Sequence, residues 1–166
     1  MKYFYDSEFY EDGERIHLIS IGIVAEDGRE LYLENNDFDP DIVPAGHWLV
    51  DNVFPWLYNQ PDVLLHKKDI AEAVKEFILD AEGPHELWGY FSDYDHVVLA
   101  QLFGRMVDMP EGIPWFTLDL KQTLHTFIIH CALPAQDEVE HHALADARWN
   151  RKLYYWIHDE IMRETT

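Results

Sequence analysis

The sequence contains little cysteine and few basic residues. Its 166 residues include one cysteine, Cys131, which excludes an internal disulfide and a zinc site built on several thiolates. We expect Cys131 to be a core residue. No apolar run approaches the roughly 20 residues that a membrane span requires, and the charge at Asp6 comes too early for a signal peptide. These absences predict a soluble, cytoplasmic protein that does not enter a membrane.

The scarcity of positive charge limits how the protein can bind a polyanion. Twelve lysines and arginines stand against 32 aspartates and glutamates, which gives a formal net charge of -20. Proteins that hold long nucleic acids along their phosphates present a basic stripe, because charge neutralisation supplies most of the nonspecific affinity. The sequence shows no such stripe. If the substrate is a nucleic acid, we expect contact with only a few nucleotides at a metal-loaded pocket.

The length and the order of the predicted elements indicate one α/β domain over residues 1–166. Three strands, separated by Asp-Gly turn signals, are predicted at 3–9, 15–25 and 30–34. Further elements follow: helices at 69–81, 95–106, 121–129 and 143–162, and strands at 86–91 and 116–120. Three antiparallel strands followed by alternating helices and strands predict a mixed five-stranded sheet flanked by helices.

Acidic residues recur at three distant places in the chain. Asp6 and Glu8 lie two positions apart on the first strand, so their carboxylates share one face. Asp95 and Asp146 lie near the starts of two helices. Burying carboxylates without partners is costly, and a divalent cation is the simplest neutralising partner. Mg²⁺ and Mn²⁺ prefer such oxygen ligands, and two ions together suit phosphoryl displacement. His141, shortly before Asp146, is placed to accept a proton from water.

Three segments, in this order, resemble the motifs of the DEDD 3′→5′ exonucleases in the subgroup with a histidine in the third motif: Asp6-x-Glu8, Tyr94-Asp95-x-x-x-Leu99 and His141-x-Ala143-x-x-Asp146. The resemblance implies a ribonuclease H-like fold over nearly the whole chain. It also implies that Asp6, Glu8, Asp95 and Asp146 hold two Mg²⁺ or Mn²⁺ ions and that His141 is the general base. The chain is also similar to small actinobacterial exoribonucleases that trim single-stranded RNA from its 3′ end, favour adenylate and form homodimers.

The second motif departs from the family pattern. Phe91 stands where relatives often have asparagine or another small polar residue, four positions before the aspartate. Asp93 competes with Asp95 for the ligand role, and we favour Asp95. Nearby, Asp119 is either a helix cap or a supporting carboxylate, and the cap is favoured. His142 is expected at the surface where the last helix begins.

Three aromatic residues are candidates for nucleotide binding. Phe9 and Tyr10 follow the first motif where relatives commonly have Thr-Gly. Their rings either stack on the terminal base or pack the first hairpin. Trp88, before the second motif, is a candidate for a pocket wall beside Asp95, together with the next two residues, Gly89 and Tyr90.

The sequence thus predicts a metal-dependent exoribonuclease that releases nucleoside 5′-monophosphates from single-stranded RNA. Two alternatives remain at this point: an exonuclease of DNA or of short oligonucleotides, and a catalytically weak domain that binds proteins. No motif specifies a contact to the 2′-hydroxyl, so the choice between RNA and DNA is open. The many aromatic residues and the resemblance together predict a homodimer.

Overall fold

A mixed six-stranded sheet lies at the centre of the structure, a computed structural model that describes residues 1–127 and 132–164. The strands are β1 (Lys2–Glu11), β2 (Ile16–Ala25), β3 (Glu30–Asn35), β4 (Leu64–Leu65), β5 (Glu86–Gly89) and β6 (Leu118–Asp119). The helices are α1 (Trp48–Asn52), α2 (Lys67–Leu79), α3 (Asp93–Phe103), α4 (Leu120–Thr126) and α5 (Ala143–Glu164). In space the strands follow the order β4-β3-β2-β1-β5-β6.

The first three strands form an antiparallel meander, as the sequence predicts. Asp12 closes the turn between β1 and β2, because its Oδ1 accepts hydrogen bonds from the backbone N–H groups of Glu14 and Arg15. Gly13 has a φ of 90°, a conformation that costs glycine little. The Asp-Gly pair therefore does form a hairpin turn.

The other strands pair in parallel: β5 with β1, β6 with β5, and β4 with β3. The predicted α/β class and mixed sheet are confirmed, but the sheet has six strands rather than five. The additional strand, β4, is two residues long and follows a 3₁₀ turn at Pro61–Val63. It forms because it pairs with the end of β3. A strand of two residues is too short to show a periodicity from which it could be predicted.

The predicted helices occur with shifted ends. Helix α3 begins at Asp93, before the predicted start at 95, and ends before Gly104. Between β3 and β4 the chain forms α1 and then a 3₁₀ turn at Phe54–Trp56, which contains a proline. Residues 128–131, at the end of the helix predicted at 121–129, lie outside the described residues, as does the predicted core residue Cys131. Within the described part of the chain, none of the helices combines the length and apolarity that crossing a bilayer requires.

The two faces of the sheet carry separate cores. Tyr3 and Tyr5 of β1 pack with α2 and α3 in the larger cluster, whereas Phe4 packs with α4 and α5 on the opposite face. This alternation continues into Asp6 and Glu8, so both carboxylates follow Phe4 toward the face that α5 covers. The strand that carries the first motif is thus fixed by burial on both sides.

Candidate active site

Three carboxylates from two elements meet at one point. Asp6 and Glu8 extend from β1 and Asp146 from the first turn of α5, and one oxygen of each lies within 4.8 Å of the others. Glu8 is buried, while Asp6 and Asp146 are partly exposed. The sequence prediction that these distant residues converge is thus met in the structure.

The first turn of α5 reaches β1 because of a glycine in β2. Gly22 is the register partner of Asp6, and a Cβ atom on Gly22 would lie 2.4 Å from backbone atoms of Ala143 and Leu144. Any side chain at this position would therefore displace the helix. This close approach carries Asp146 to the carboxylates of the strand.

The clustered carboxylates are electrostatically unfavourable without a cation. Burial, together with the nearby charges of Asp95, Glu8 and Asp146, raises the pKa of Asp6 well above its ordinary value. Burial and the charges of Asp146 and Asp95 raise the pKa of Glu8 to about 8. Burial also raises the pKa of Asp146. Within the described residues, no lysine or arginine forms an ion pair with any of these carboxylates.

Asp95 lies beside this cluster and is anchored to the edge of β1. Its Oδ1 accepts hydrogen bonds from the backbone N–H and the hydroxyl of Ser7, at 2.9 and 2.6 Å, where β1 extends past its last pair with β5. Burial raises the pKa of Asp95 to about 6, although the Ser7 hydrogen bonds act in the opposite direction. Asp93, the competing candidate, is exposed. The structure thus directs Asp95, and not Asp93, toward the first motif.

His141 is held by its backbone and leaves its imidazole accessible. Its N–H donates to Oδ2 of Asp146 at 3.0 Å, its φ is 64°, and its side chain is 42% exposed. The indole of Trp48 meets the imidazole edge-to-face at 4.5 Å. Backbone and indole thus fix the place of a ring that solvent can reach.

The His141 segment, defined here as residues 132–142, is fastened to α5 by polar side chains. Gln136 Nε2 donates to Oδ1 of Asp146 at 2.5 Å. The Arg148 guanidinium joins Glu138 of the segment to Glu30 of β3. Further bonds connect Lys152 to Asp137 and to the carbonyl of Ala135, and Trp149 to the carbonyl of Pro134. These contacts, rather than a regular element, place the segment over the carboxylates.

A pocket of about 380 Å³ opens beside the carboxylates. Its lining combines candidate catalytic groups with aromatic and polar side chains: Asp6, Tyr90, Pro134, Gln136, Glu140, His141, Asp146, Trp149 and Asn150. Sequence reasoning missed Gln136 and Asn150, whereas Tyr90 belongs to the predicted pocket wall. Asn150 lies four residues after Asp146, on the same helical face, and donates to the carbonyl of Tyr5. That spacing was the available signal.

The aromatic candidates occupy different environments. Phe9 stacks against Tyr94 at 5.8 Å, and Tyr10 is buried in a cluster with Ile19 and its neighbours. Among the described residues, the pocket wall contains Tyr90 rather than Trp88. Trp88 packs edge-to-face against Tyr154 of α5, and its indole N–H donates to the carboxylate of Glu86. A contact of Phe9, Tyr10 or Trp88 with a nucleotide stays a prediction.

Two neighbouring predictions have definite outcomes. Asp119 is the N-cap of α4, since its Oδ1 accepts from the N–H of Gln122 at 2.8 Å, and the predicted cap is confirmed. The prediction that His142 lies at the surface is wrong, because this half-buried imidazole stacks on Tyr32 at 4.5 Å. The stacking partner comes from β3, more than a hundred residues earlier, where no local pattern indicates it.

Comparison with known proteins finds relatives over most of the chain. The model of the 3′-5′ exoribonuclease Rv2179c-like domain matches residues 1–158. Two Mycobacterium tuberculosis proteins, the 3′-5′ exoribonuclease Rv2179c of strain H37Rv and the 3′-5′ exoribonuclease MT2234.1 of strain CDC 1551, are each 42% identical over 151 residues. The match covers 89% of this chain and 88% of each relative.

A solved structure extends the agreement to the fold. Pop2p of S. pombe, in its Mg²⁺- and Mn²⁺-bound form, superposes with a TM-score of 0.55 at 12% identity, over 94% of this chain and 82% of that one. At this identity the likeness concerns the fold, which is ribonuclease H-like in Pop2p, a DEDD nuclease. The predicted exoribonuclease family and ribonuclease H-like fold are therefore confirmed. The chain belongs to the family of Rv2179c-like 3′-5′ exoribonuclease domains.

Proposed function

We propose that residues 1–166 form a single, divalent-metal-dependent exoribonuclease domain that releases nucleoside 5′-monophosphates from the 3′ end of single-stranded RNA. The observation that carries the proposal is the convergence of Asp6, Glu8 and Asp146 within 4.8 Å beside a pocket of nucleotide size. A phosphodiester placed there meets several carboxylates that need a cation. Family membership supplies the class of reaction.

The donor set fits Mg²⁺ or Mn²⁺. All the candidate ligands are carboxylate oxygens, the hard donors that these ions prefer. Burial, and then the neighbouring carboxylates, raise the pKa of Asp6 and of Glu8, so a bound cation would stabilise their charged forms. Asp6, Glu8, Asp95 and Asp146 would hold two ions. When bound, the ions supply stabilisation for negative charge on the attacking and leaving oxygens. Asp95 uses Oδ1 for both hydrogen bonds from Ser7, so Oδ2 would be its metal-binding atom.

His141 is the proposed general base. Its imidazole accepts the proton of the attacking water while the water oxygen bonds to phosphorus and the bond from phosphorus to the upstream 3′-oxygen breaks. The leaving 3′-oxygen then takes a proton from solvent. The bond from the His141 N–H to Asp146 couples the position of the base to that of a proposed metal ligand.

The pocket and the charge together favour a short contact with a single strand. Tyr90, Pro134 and Trp149 form an apolar wall on which a terminal base of any kind can stack. The adenylate preference is proposed on the family resemblance alone. The net charge of -20 disfavours an extended phosphate grip. Exposed side chains such as Trp115 and Phe116 support the proposed homodimer, which light scattering showing a monomer would exclude.

The test is digestion of matched 5′-labelled single-stranded RNA and DNA with Mg²⁺, with Mn²⁺ or with EDTA. We expect a metal-dependent ladder that shortens from the 3′ end of the RNA, disappears in Asp6→Asn and weakens strongly in His141→Ala. Faster digestion of the DNA, or of dinucleotides alone, would favour the alternative substrates. Intact substrates in every lane with retained Mn²⁺ binding would favour a protein-binding domain.

A further inference from the structure

Phe91 presents an aromatic ring to solvent at the rim of the pocket. The side chain is 64% exposed, and its ring meets the ring of Tyr90, which lines the pocket, at a centroid distance of 4.8 Å. The backbone of Phe91 has a φ of 55°, a left-handed conformation that is costly for a bulky side chain. Burial does not offset this strain, because most of the ring is in water. A strained, exposed residue beside a site indicates a functional role.

The surroundings of Phe91 hold a lysine over this ring. Asp119 Oδ2 accepts hydrogen bonds from the N–H and the hydroxyl of Ser92, while its Oδ1 accepts from the N–H of Gln122. The residue that follows Phe91 is therefore tied to the first turn of α4. In that turn, Lys121 holds its ammonium 5.7 Å from the centroid of the Phe91 ring.

Lys121 differs from most of the basic residues. The majority of lysines and arginines form ion pairs with carboxylates, whereas Lys121, within residues 1–127 and 132–164, pairs with none. In a chain of net charge -20, a lysine without an acidic partner near the active site is well suited to a phosphate. Its long side chain can leave the ring when a base takes that face.

We infer that Phe91 and Lys121 form a binding subsite for the nucleotide that precedes the 3′-terminal one. This inference rests on the proposed exoribonuclease function. The base stacks on the face of Phe91 that the ammonium of Lys121 covers, and the displaced ammonium pairs with a phosphate of the strand. Tyr90 lines the pocket and contacts Phe91, so the subsite lies one ring beyond the place of the terminal nucleotide.

The test compares a substrate that has an upstream nucleotide with one that lacks it. The first is a single-stranded RNA decamer, and the second is the p-nitrophenyl ester of adenosine 5′-monophosphate. For Phe91→Leu and for Lys121→Gln we expect the KM for RNA to rise about tenfold, the effect of losing one stacked base or one phosphate contact. The KM for the ester should not change. An equal change on both substrates, or no change on RNA, would overturn the subsite.

Matched controls separate this effect from a general change of the surface. Phe127→Leu alters a ring that is 50% exposed and lies at the end of α4, whereas Lys121 lies at its start. Lys68→Gln removes a charge on α2. Both should retain the KM of the parent protein for RNA. If Phe91→Leu instead changes only the oligomeric state in light scattering, the ring is a protein contact and the inference is wrong.

A binding measurement distinguishes failure of the subsite from failure of the proposed function. Fluorescence anisotropy of the labelled RNA, measured in a His141→Ala background, should show weaker binding once Phe91→Leu is added, whether or not the parent protein turns over. Equal RNA affinity of the His141→Ala proteins with and without Phe91→Leu would contradict the subsite and would leave the proposed exoribonuclease function standing.

The backbone strain offers a second readout. Asparagine tolerates a positive φ, so Phe91→Asn should maintain or raise the Tm while it raises the KM for RNA. A lower Tm with an unchanged KM would show that Phe91 serves packing, which contradicts the inference.

Discussion

The carboxylates and the histidine of the site are held by different kinds of structure. Asp6 and Glu8 lie within β1, a central strand that is bonded to β2 and β5 and packed on both faces. His141 lies in an irregular segment whose attachments to α5 are polar side-chain contacts, among them those of Gln136 and Arg148. The carboxylate half of the site, Asp6 and Glu8, is therefore part of the core. The other half, the His141 segment, is attached to the outside of the core.

Because of this difference, substitutions in β1 change the charge of the site, whereas substitutions in the His141 segment change the position of the imidazole. A carboxylate in β1 cannot move without disturbing the sheet, so a substitution there changes charge while the geometry persists. The His141 segment can shift when one of its polar contacts is lost, since each such contact contributes little by itself. Substitutions in the two halves should consequently differ in both size and kind.

The largest effect is expected from Asp6→Asn, which removes one charge from the cluster and keeps the shape of the side chain. Turnover of RNA should fall by at least about a thousandfold, because a lost contribution of several kcal/mol to transition-state stabilisation corresponds to that factor. In EDTA the same variant should have a higher Tm than the parent protein, since a self-repelling carboxylate is gone. A lower Tm together with low activity would indicate misfolding instead of lost chemistry.

The second largest effect is expected from His141→Ala, a substitution in the His141 segment. Loss of a general base typically lowers the rate by about a hundredfold to ten-thousandfold, so kcat should fall within that range while the KM for RNA changes little. The His141 backbone bond to Asp146 survives the substitution, which leaves the carboxylates in place. His125→Ala, on α4, is the matched control and should retain the kcat of the parent. A normal kcat in His141→Ala would assign the base elsewhere.

The same division explains how far the sequence could predict the site. Asp6 and Glu8 follow from the alternation of a strand, and the preference for Asp95 over Asp93 agrees with its buried position against Ser7. Gln136 could not be found this way, because its bond to Asp146 depends on how an irregular segment crosses a helix. Sequence periodicity predicts only helices and strands, and the His141 segment forms neither.

The fold shows the same limit at the edge of the sheet. The meander could be predicted from its Asp-Gly turns, but β4 depends on a partner strand that is some thirty residues away in the chain. The proximity of α5 to β1 depends on the missing Cβ of Gly22, a tertiary contact that no local pattern reports. Non-local packing was therefore the part that sequence reasoning could not supply.

A third, smaller effect concerns stability and pH in the carboxylate half. The pKa of Glu8 rises from 4.5 to about 8 on folding, mainly through burial. Between these values the folded protein binds more protons at Glu8 than the unfolded chain, so in EDTA the free energy of unfolding should decrease as the pH rises from about 5 to 8. Denaturant titrations across this range measure the slope. Glu8→Gln should flatten it, and Mn²⁺ should oppose it; a steeper slope in Glu8→Gln would contradict the assignment.

The smallest effect is expected from Arg148→Gln, which releases one attachment of the His141 segment. The guanidinium joins Glu138 to Glu30, and all three groups are partly exposed, so each ion pair contributes at most about 1 kcal/mol. Turnover of RNA should fall by no more than about fivefold, and high salt should lower the activity of the parent protein toward that of the variant. Arg105→Gln, which breaks an ion pair far from the segment, should be neutral. A loss as large as that of His141→Ala would mean that the segment depends on this one attachment, and the two halves would then be equally sensitive.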